Sequence, residues 1–340
     1  MKKRSRLSRR IFVRSYRKVG LPMNKKERVK AAIAKKPVDH VPSCFSLHFP
    51  REVASGEAAV KAHLDFYRQT DVDVLKIMNE NLVPLIGEMK RPEDWNKLPV
   101  YNRHSPFMQK QLDMIRRILD EADGAYSLAT IHGICASTIH PLEATYGYLP
   151  VRKLFVEQMR TNPQPMLDAR KRIADAMCDL AQACIEIGCD GIYYAALGAE
   201  RHFFTDEEFA VAVEPFDLQI LSAIREAKGD IFLHMCKDDL NMERYRGYQA
   251  YCDVANWGVY ETRFSLEEGR KLFPNAAIMG GLANRSGVLV DGSIEELQAA
   301  VRKVIADFGT TGFILGADCT LPTEIPYERI AAAVHAAVIE

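Results

Sequence analysis

The 340-residue chain has no surplus of either charge: Lys and Arg total 45, Asp and Glu total 45, and the formal net charge is zero. Binding along phosphate backbones needs a basic excess, so nucleic acid is not expected as an obligate partner. No run approaches the roughly 18 apolar residues of a membrane helix, so no helical membrane span is expected. Disulfide spacing is missing too. The eight cysteines (44, 135, 178, 184, 189, 236, 252 and 319) are scattered, most of them in apolar stretches. There a reduced cysteine acts as a small hydrophobe, and a reducing, cytoplasmic location is expected. The chain lacks Gly-x-Ser-x-Gly, His-Glu-x-x-His and glycine-rich phosphate loops, which removes the familiar hydrolase and nucleotide signatures. Repeats, low-complexity segments and glycine- or serine-rich linkers are also absent, which argues for a single domain.

What is present is an ordinary globular composition, 48% hydrophobic and 26% charged, with ample material for a large core. Nine of the first 22 residues are Lys or Arg, and Ser8–Arg14 resembles a twin-arginine export signal. The apolar segment such a signal needs does not follow, so 1–22 reads as a loose basic extension. The catalytic domain is expected over 23–340.

From Met23 onward, strand-like and helix-like stretches alternate. A helix is expected over 24–34 with Asn24 as N-cap. Strands are expected at 41–47, 72–78, 125–131, 191–195, 230–233, 251–256, 276–280 and 312–315. Helices fall between them, at 54–69, 207–228, 266–272, 294–308 and 326–339, and a long one ends near Gly188. Eight such units in about 300 residues predict a parallel (β/α)8 TIM barrel, with a doubly wound open sheet as the alternative. The stretch from 80 to 165 exceeds one unit and predicts inserted helices over the carboxyl-terminal mouth.

Side chains at the carboxyl ends of barrel strands converge on one site. The fifth strand there delivers His234 and Cys236, from Ile231-Phe-Leu-His-Met-Cys236, and the eighth delivers Cys319, from Gly316-Ala-Asp-Cys319. One imidazole and two thiolates suit Zn²⁺ with one position left open, the pattern of a catalytic metal. That position would take a substrate thiol as thiolate or an activated water. Other strand ends add His48, Asn79, Glu80, His132, Tyr194, Glu200, Asn256, Asn284 and Arg285. Glu80 is a candidate to complete the metal shell, and Arg285 to take a substrate anion. Cys189 and Cys252 lie at the opposite ends of their strands and read as structural.

Several stretches together resemble the uroporphyrinogen decarboxylase superfamily: 25–42 near the start, Phe232-Leu-His-Met-Cys236, Gly280-Gly-Leu-Ala-Asn284, and 312–326 with its Gly-Ala-Asp-Cys319-Thr-Leu-Pro322. The resemblance runs from about Met23 to the end and implies a (β/α)8 barrel. Decarboxylases of this superfamily carry an arginine-rich loop after the first strand and an aspartate after the second. Here the corresponding segments read Phe45-Ser-Leu-His-Phe-Pro-Arg51, with one arginine, and Met78-Asn-Glu80. The cobamide-dependent methyltransferase branch instead has a His-x-Cys…Cys zinc set, which maps onto His234, Cys236 and Cys319. The resemblance therefore implies methyl transfer between a corrinoid and a zinc-activated thiol or other small acceptor. His48, Asn79, Tyr194, Asn284 and Arg285 would line the cofactor face. No Asp-x-His-x-x-Gly stretch for holding a corrinoid is encoded, so a separate corrinoid protein is the expected partner. A decarboxylase-like lyase is the alternative. The chain departs from the branch pattern at Lys237, where a glycine usually follows the cysteine.

Overall fold

The computed structural model describes residues 22–85, 87–122 and 124–338. Eight parallel strands make one sheet: β1 Ser43–Cys44, β2 Val74–Ile77, β3 Tyr126–His132, β4 Gly191–Ala196, β5 Asp230–Met235, β6 Val254–Trp257, β7 Ala277–Leu282 and β8 Phe313–Ala317. Its order, β1-β8-β7-β6-β5-β4-β3-β2, wraps the sheet almost onto itself. The β1/β2 seam is held by Ser43 and Asp73. Asp73 donates its N–H to the Ser43 carbonyl at 3.1 Å, while its carboxylate accepts from the Ser43 N–H at 2.8 Å and hydroxyl at 3.0 Å. With helices alternating outside, the architecture is a (β/α)8 barrel.

The helices are α1 Lys25–Ile33, α2 Gly56–Thr70, α3 Pro106–Glu121, α4 Ile134–Tyr146, α5 Tyr148–Thr161, α6 Gln164–Glu186, α7 Asp206–Ala212, α8 Glu214–Glu226, α9 Val259–Thr262, α10 Leu266–Leu272, α11 Ile294–Phe308 and α12 Tyr327–His335. Their starts are written locally. Asn24 caps α1 reciprocally with Glu27, and the same box recurs as Thr205/Glu208, Ser265/Glu268 and Ser293/Glu296. Gly188, at φ +116°, turns the chain out of α6 into β4.

Period-two alternation sends one set of strand side chains into the barrel and the other under the helices. Val74, Tyr126, Leu128, Tyr193, Phe232, Val254, Ala277 and Ile314 fill the interior and meet Val29 and Ala32 of α1. Thus α1 plugs the amino-terminal end. Its Arg28 is tied to Asp39 at 2.7 Å and also to Asp73. Among the described residues no helix is long and apolar enough to cross a membrane.

Two expectations change. The helix expected over 207–228 is broken at Val213 into α7 and α8, because Pro215 in the first turn of α8 cannot continue a preceding helix. The strand expected over 251–256 is displaced to Val254–Trp257, since a 3₁₀ stretch, Met242–Tyr251, runs up to its start. Residues 1–21 of the expected basic extension lie outside the described residues.

Candidate metal centre at the barrel mouth

β5 and β6 pair in register His234↔Asn256, which sets an imidazole beside an amide at the carboxyl-terminal end of the barrel. Both side chains are buried. The Asn256 Nδ2 donates to the carbonyls of Met279 and Ala317, each at 3.1 Å, so the orientation of the amide is determined. Its Oδ1 therefore accepts, from the Tyr193 hydroxyl at 3.1 Å and from His234 Nδ1 at 2.6 Å. That bond puts the imidazole proton on Nδ1 and leaves Nε2 with a free lone pair. Nε2 is buried and without any hydrogen-bond partner.

Two thiols lie close to this imidazole. Cys236, one residue beyond β5, and Cys319, two beyond β8, bring their sulfurs to 3.9 Å of each other. The ligand atoms of His234, Cys236 and Cys319 all lie within 4.8 Å. Two thiolates on a tetrahedral zinc, at Zn–S distances of about 2.3 Å, sit roughly 3.8 Å apart, so the spacing fits such an ion. It is far longer than a disulfide. The hydrogen bond between the thiols splits their acidities. It holds Cys319 well below the ordinary thiol range, with His234 and Lys76 assisting against burial. The same bond pushes Cys236 well above it, as does burial.

The other expected residues fall into two groups. His48 and Glu80 face each other from the loops after β1 and β2, with Nδ1 and Oε1 2.6 Å apart. Burial pushes the Glu80 carboxyl up, but the hydrogen bond from His48 and the charges of His48, His132 and Lys76 outweigh it, so it is held below its usual range. Glu80 is thus engaged with His48 and is not one of the three clustered ligands. His132 packs edge-on against His140, ring centroids 5.4 Å apart, and burial pushes it down to about 3. Arg285 is exposed.

The second group holds the scaffold. Asn79 donates to the Thr130 carbonyl and accepts from the Asn81 N–H, and Asn284 donates to the Thr320 carbonyl. Glu200 is fully buried against Arg152 of α5 at 3.0 Å. Tyr194 corrects the sequence reading: it does not face the mouth. It lies outside the barrel wall, where its hydroxyl donates to Asp217 of α8, and its neighbour Tyr193 is the inward residue. One residue of register exchanges the faces of a strand.

Lys76, Asp318 and Glu261 were not singled out from sequence. Lys76 of β2 is buried in the interior, its Nζ 3.6 Å from the centroid of the Tyr193 ring. A charged residue within an otherwise apolar strand was the available signal. Asp318 precedes Cys319 and accepts the Tyr260 N–H at 3.0 Å; burial pushes its carboxyl up to about 7. Glu261 shares an open cleft with Tyr148, Lys237 and Asp238. A larger groove runs from Tyr148 and Asp238 along α5 to Arg160, so the inserted helices do border the mouth.

Comparison with known proteins follows the same lines. No curated protein sequence matches the chain. A methyltransferase from Methanosarcina mazei superposes with a TM-score of 0.74 at 16% identity, covering 92% of this chain and 98% of that one. A B12-independent methionine synthase from Shewanella sp. W3-18-1, solved with selenomethionine, superposes with a TM-score of 0.58 at 12% identity, over 88% and 97% of the two chains. Identities this low establish a shared fold. The family model described as uroporphyrinogen decarboxylase (URO-D) matches residues 76–338, from β2 to the end of the described chain and across every residue of the His234–Cys236–Cys319 cluster. The chain therefore belongs to the URO-D family.

Proposed function

We propose that the protein is a zinc-dependent methyltransferase that moves a methyl group between a corrinoid, carried by a separate protein, and a thiol or another small acceptor. The observation that carries this reading is the bare, buried Nε2 of His234 on an imidazole clustered with a pair of thiols 3.9 Å apart. Bound there, Zn²⁺ would lower the pKa of an acceptor thiol and keep it as the nucleophilic thiolate. The chain's own residues supply the rest. Asn256 holds the imidazole tautomer that can ligate, and Tyr193 stacks on that ring at 5.2 Å between centroids. Cys236 and Cys319 are half-buried, which leaves their side of the cluster open to an acceptor. The cleft between Tyr148, Lys237, Asp238 and Glu261 is the approach for an acceptor, and the groove along α5 gives room beside it. The methyltransferase from Methanosarcina mazei among the structural neighbours fits this reading.

A decarboxylase of the same family would have little use for a buried imidazole and two thiols brought together. The test is a methyl-transfer assay: methylcobalamin and a small thiol, with loss of the methyl–cobalt absorbance as the readout. Turnover by the native protein and none by Cys319→Ala is the expected result. Turnover that Cys319→Ala retains in full would refute the assignment.

A further inference from the structure

Lys76 is a buried lysine without a carboxylate partner among the described residues. Its Nζ donates to the Ser46 hydroxyl at 3.0 Å and lies 3.6 Å from the centroid of the Tyr193 ring, and it makes no ion pair among the described residues. A lysine buried in this way is costly unless an anion compensates it. The groups whose charge bears on it are the thiols of Cys319, Cys44 and Cys236 and the Glu80 carboxylate. Glu80 is already held by His48. Burial pushes the Cys44 thiol up to about 12, so it stays neutral. What remains is the Cys236–Cys319 pair, and the Tyr193 ring links the two places: Lys76 lies over it and it stacks on His234 of the same cluster.

We infer that Lys76 is a positioning residue that stabilises an anionic fourth ligand, over a neutral one, on a metal held by His234, Cys236 and Cys319. This rests on the metal-centre reading above. A divalent ion, two thiolates and a neutral imidazole sum to zero charge. An acceptor that loses its proton to solvent and binds through sulfur takes the site to −1, and the ammonium restores neutrality inside the barrel. A neutral acceptor leaves the lysine uncompensated. Hence the preference for a thiolate is built into the barrel interior as well as into the metal.

The protein loaded with Co²⁺ tests this without turnover, because ligand binding shifts the visible bands of the metal. Ethanethiol serves as the anionic ligand and imidazole as the neutral one. In Lys76→Met the ethanethiol affinity should fall about tenfold or more, the effect of one unscreened charge at this depth, with imidazole affinity nearly unchanged. Lys76→Gln, which keeps a polar group for Ser46, should behave likewise and carries the test if the Met variant is lost. Equal ethanethiol affinity in native protein and variants, all holding one cobalt, would overturn the role of Lys76 while leaving the centre intact. Absence of bound metal in the native protein would overturn the centre itself. Loss of the fold in both variants would make the lysine a structural residue and overturn the inference too.

Discussion

Asn256 has every polar atom of its side chain committed: two donations to strand carbonyls, and two acceptances from Tyr193 and His234. It decides which imidazole nitrogen can ligate. Groups that orient a ligating histidine in this way typically contribute about 10- to 100-fold to metal affinity. Asn256→Ala should therefore weaken zinc binding by about that factor in a chelator competition while the far-UV spectrum of the barrel persists. Unchanged affinity would mean that the strand backbone alone aims the ring. The clustering of His234, Cys236 and Cys319 was legible from sequence because imidazole and thiols at two strand ends are a local signal. Which side of a strand each neighbour occupies was not. Tyr193 and Tyr194 are the same residue type in adjacent positions, so nothing in their identity says which faces the interior. Lys76 was passed over because its chemistry depends on where the Tyr193 ring and the cysteine pair come to lie.

The element that shapes the mouth is the turn after β5. Lys237 sits at φ +91° and Asp239 at φ +46°, both in the left-handed region that favours glycine. Where the methyltransferase branch usually has glycine, this chain holds a lysine whose Nζ lies 5.3 Å from the centroid of the Tyr148 ring. Strain of this sort costs about 1–2 kcal/mol per residue, and a cation over a half-buried ring returns about 0.5–1. The strain is the larger, so Lys237→Gly should raise unfolding free energy in urea by about 1 kcal/mol or slightly less. A loss of stability instead would show that the contacts of the lysine outweigh its backbone. Elements were readable wherever a local rule governs them: Asn24 as the N-cap of α1, and Gly188 at the end of α6. They were misread where a single residue overrides periodicity, as Pro215 does by dividing the helix expected over 207–228.

At the scale of the whole molecule the alternation of strand and helix was enough for the barrel, because parallel strands with helical crossovers admit few arrangements. The seam was not foreseeable. β1 contributes only Ser43 and Cys44 to the sheet, and its join to β2 depends on Asp73 rather than on a run of apolar residues. The barrel is what turns three distant positions, 83 residues apart at the two cysteines, into one cluster. It also separates that cluster from Cys189 and Cys252, which lie just before β4 and β6 at the amino-terminal face. Whether this cluster holds a metal decides its role. The deciding measurement is zinc per chain by elemental analysis of freshly purified protein, beside Cys236→Ala. About one zinc in the native protein and none in the variant, as expected for a site with three protein ligands, is the predicted result. No zinc in either, with both folded, would contradict it and leave His234, Cys236 and Cys319 as neighbours without a shared task.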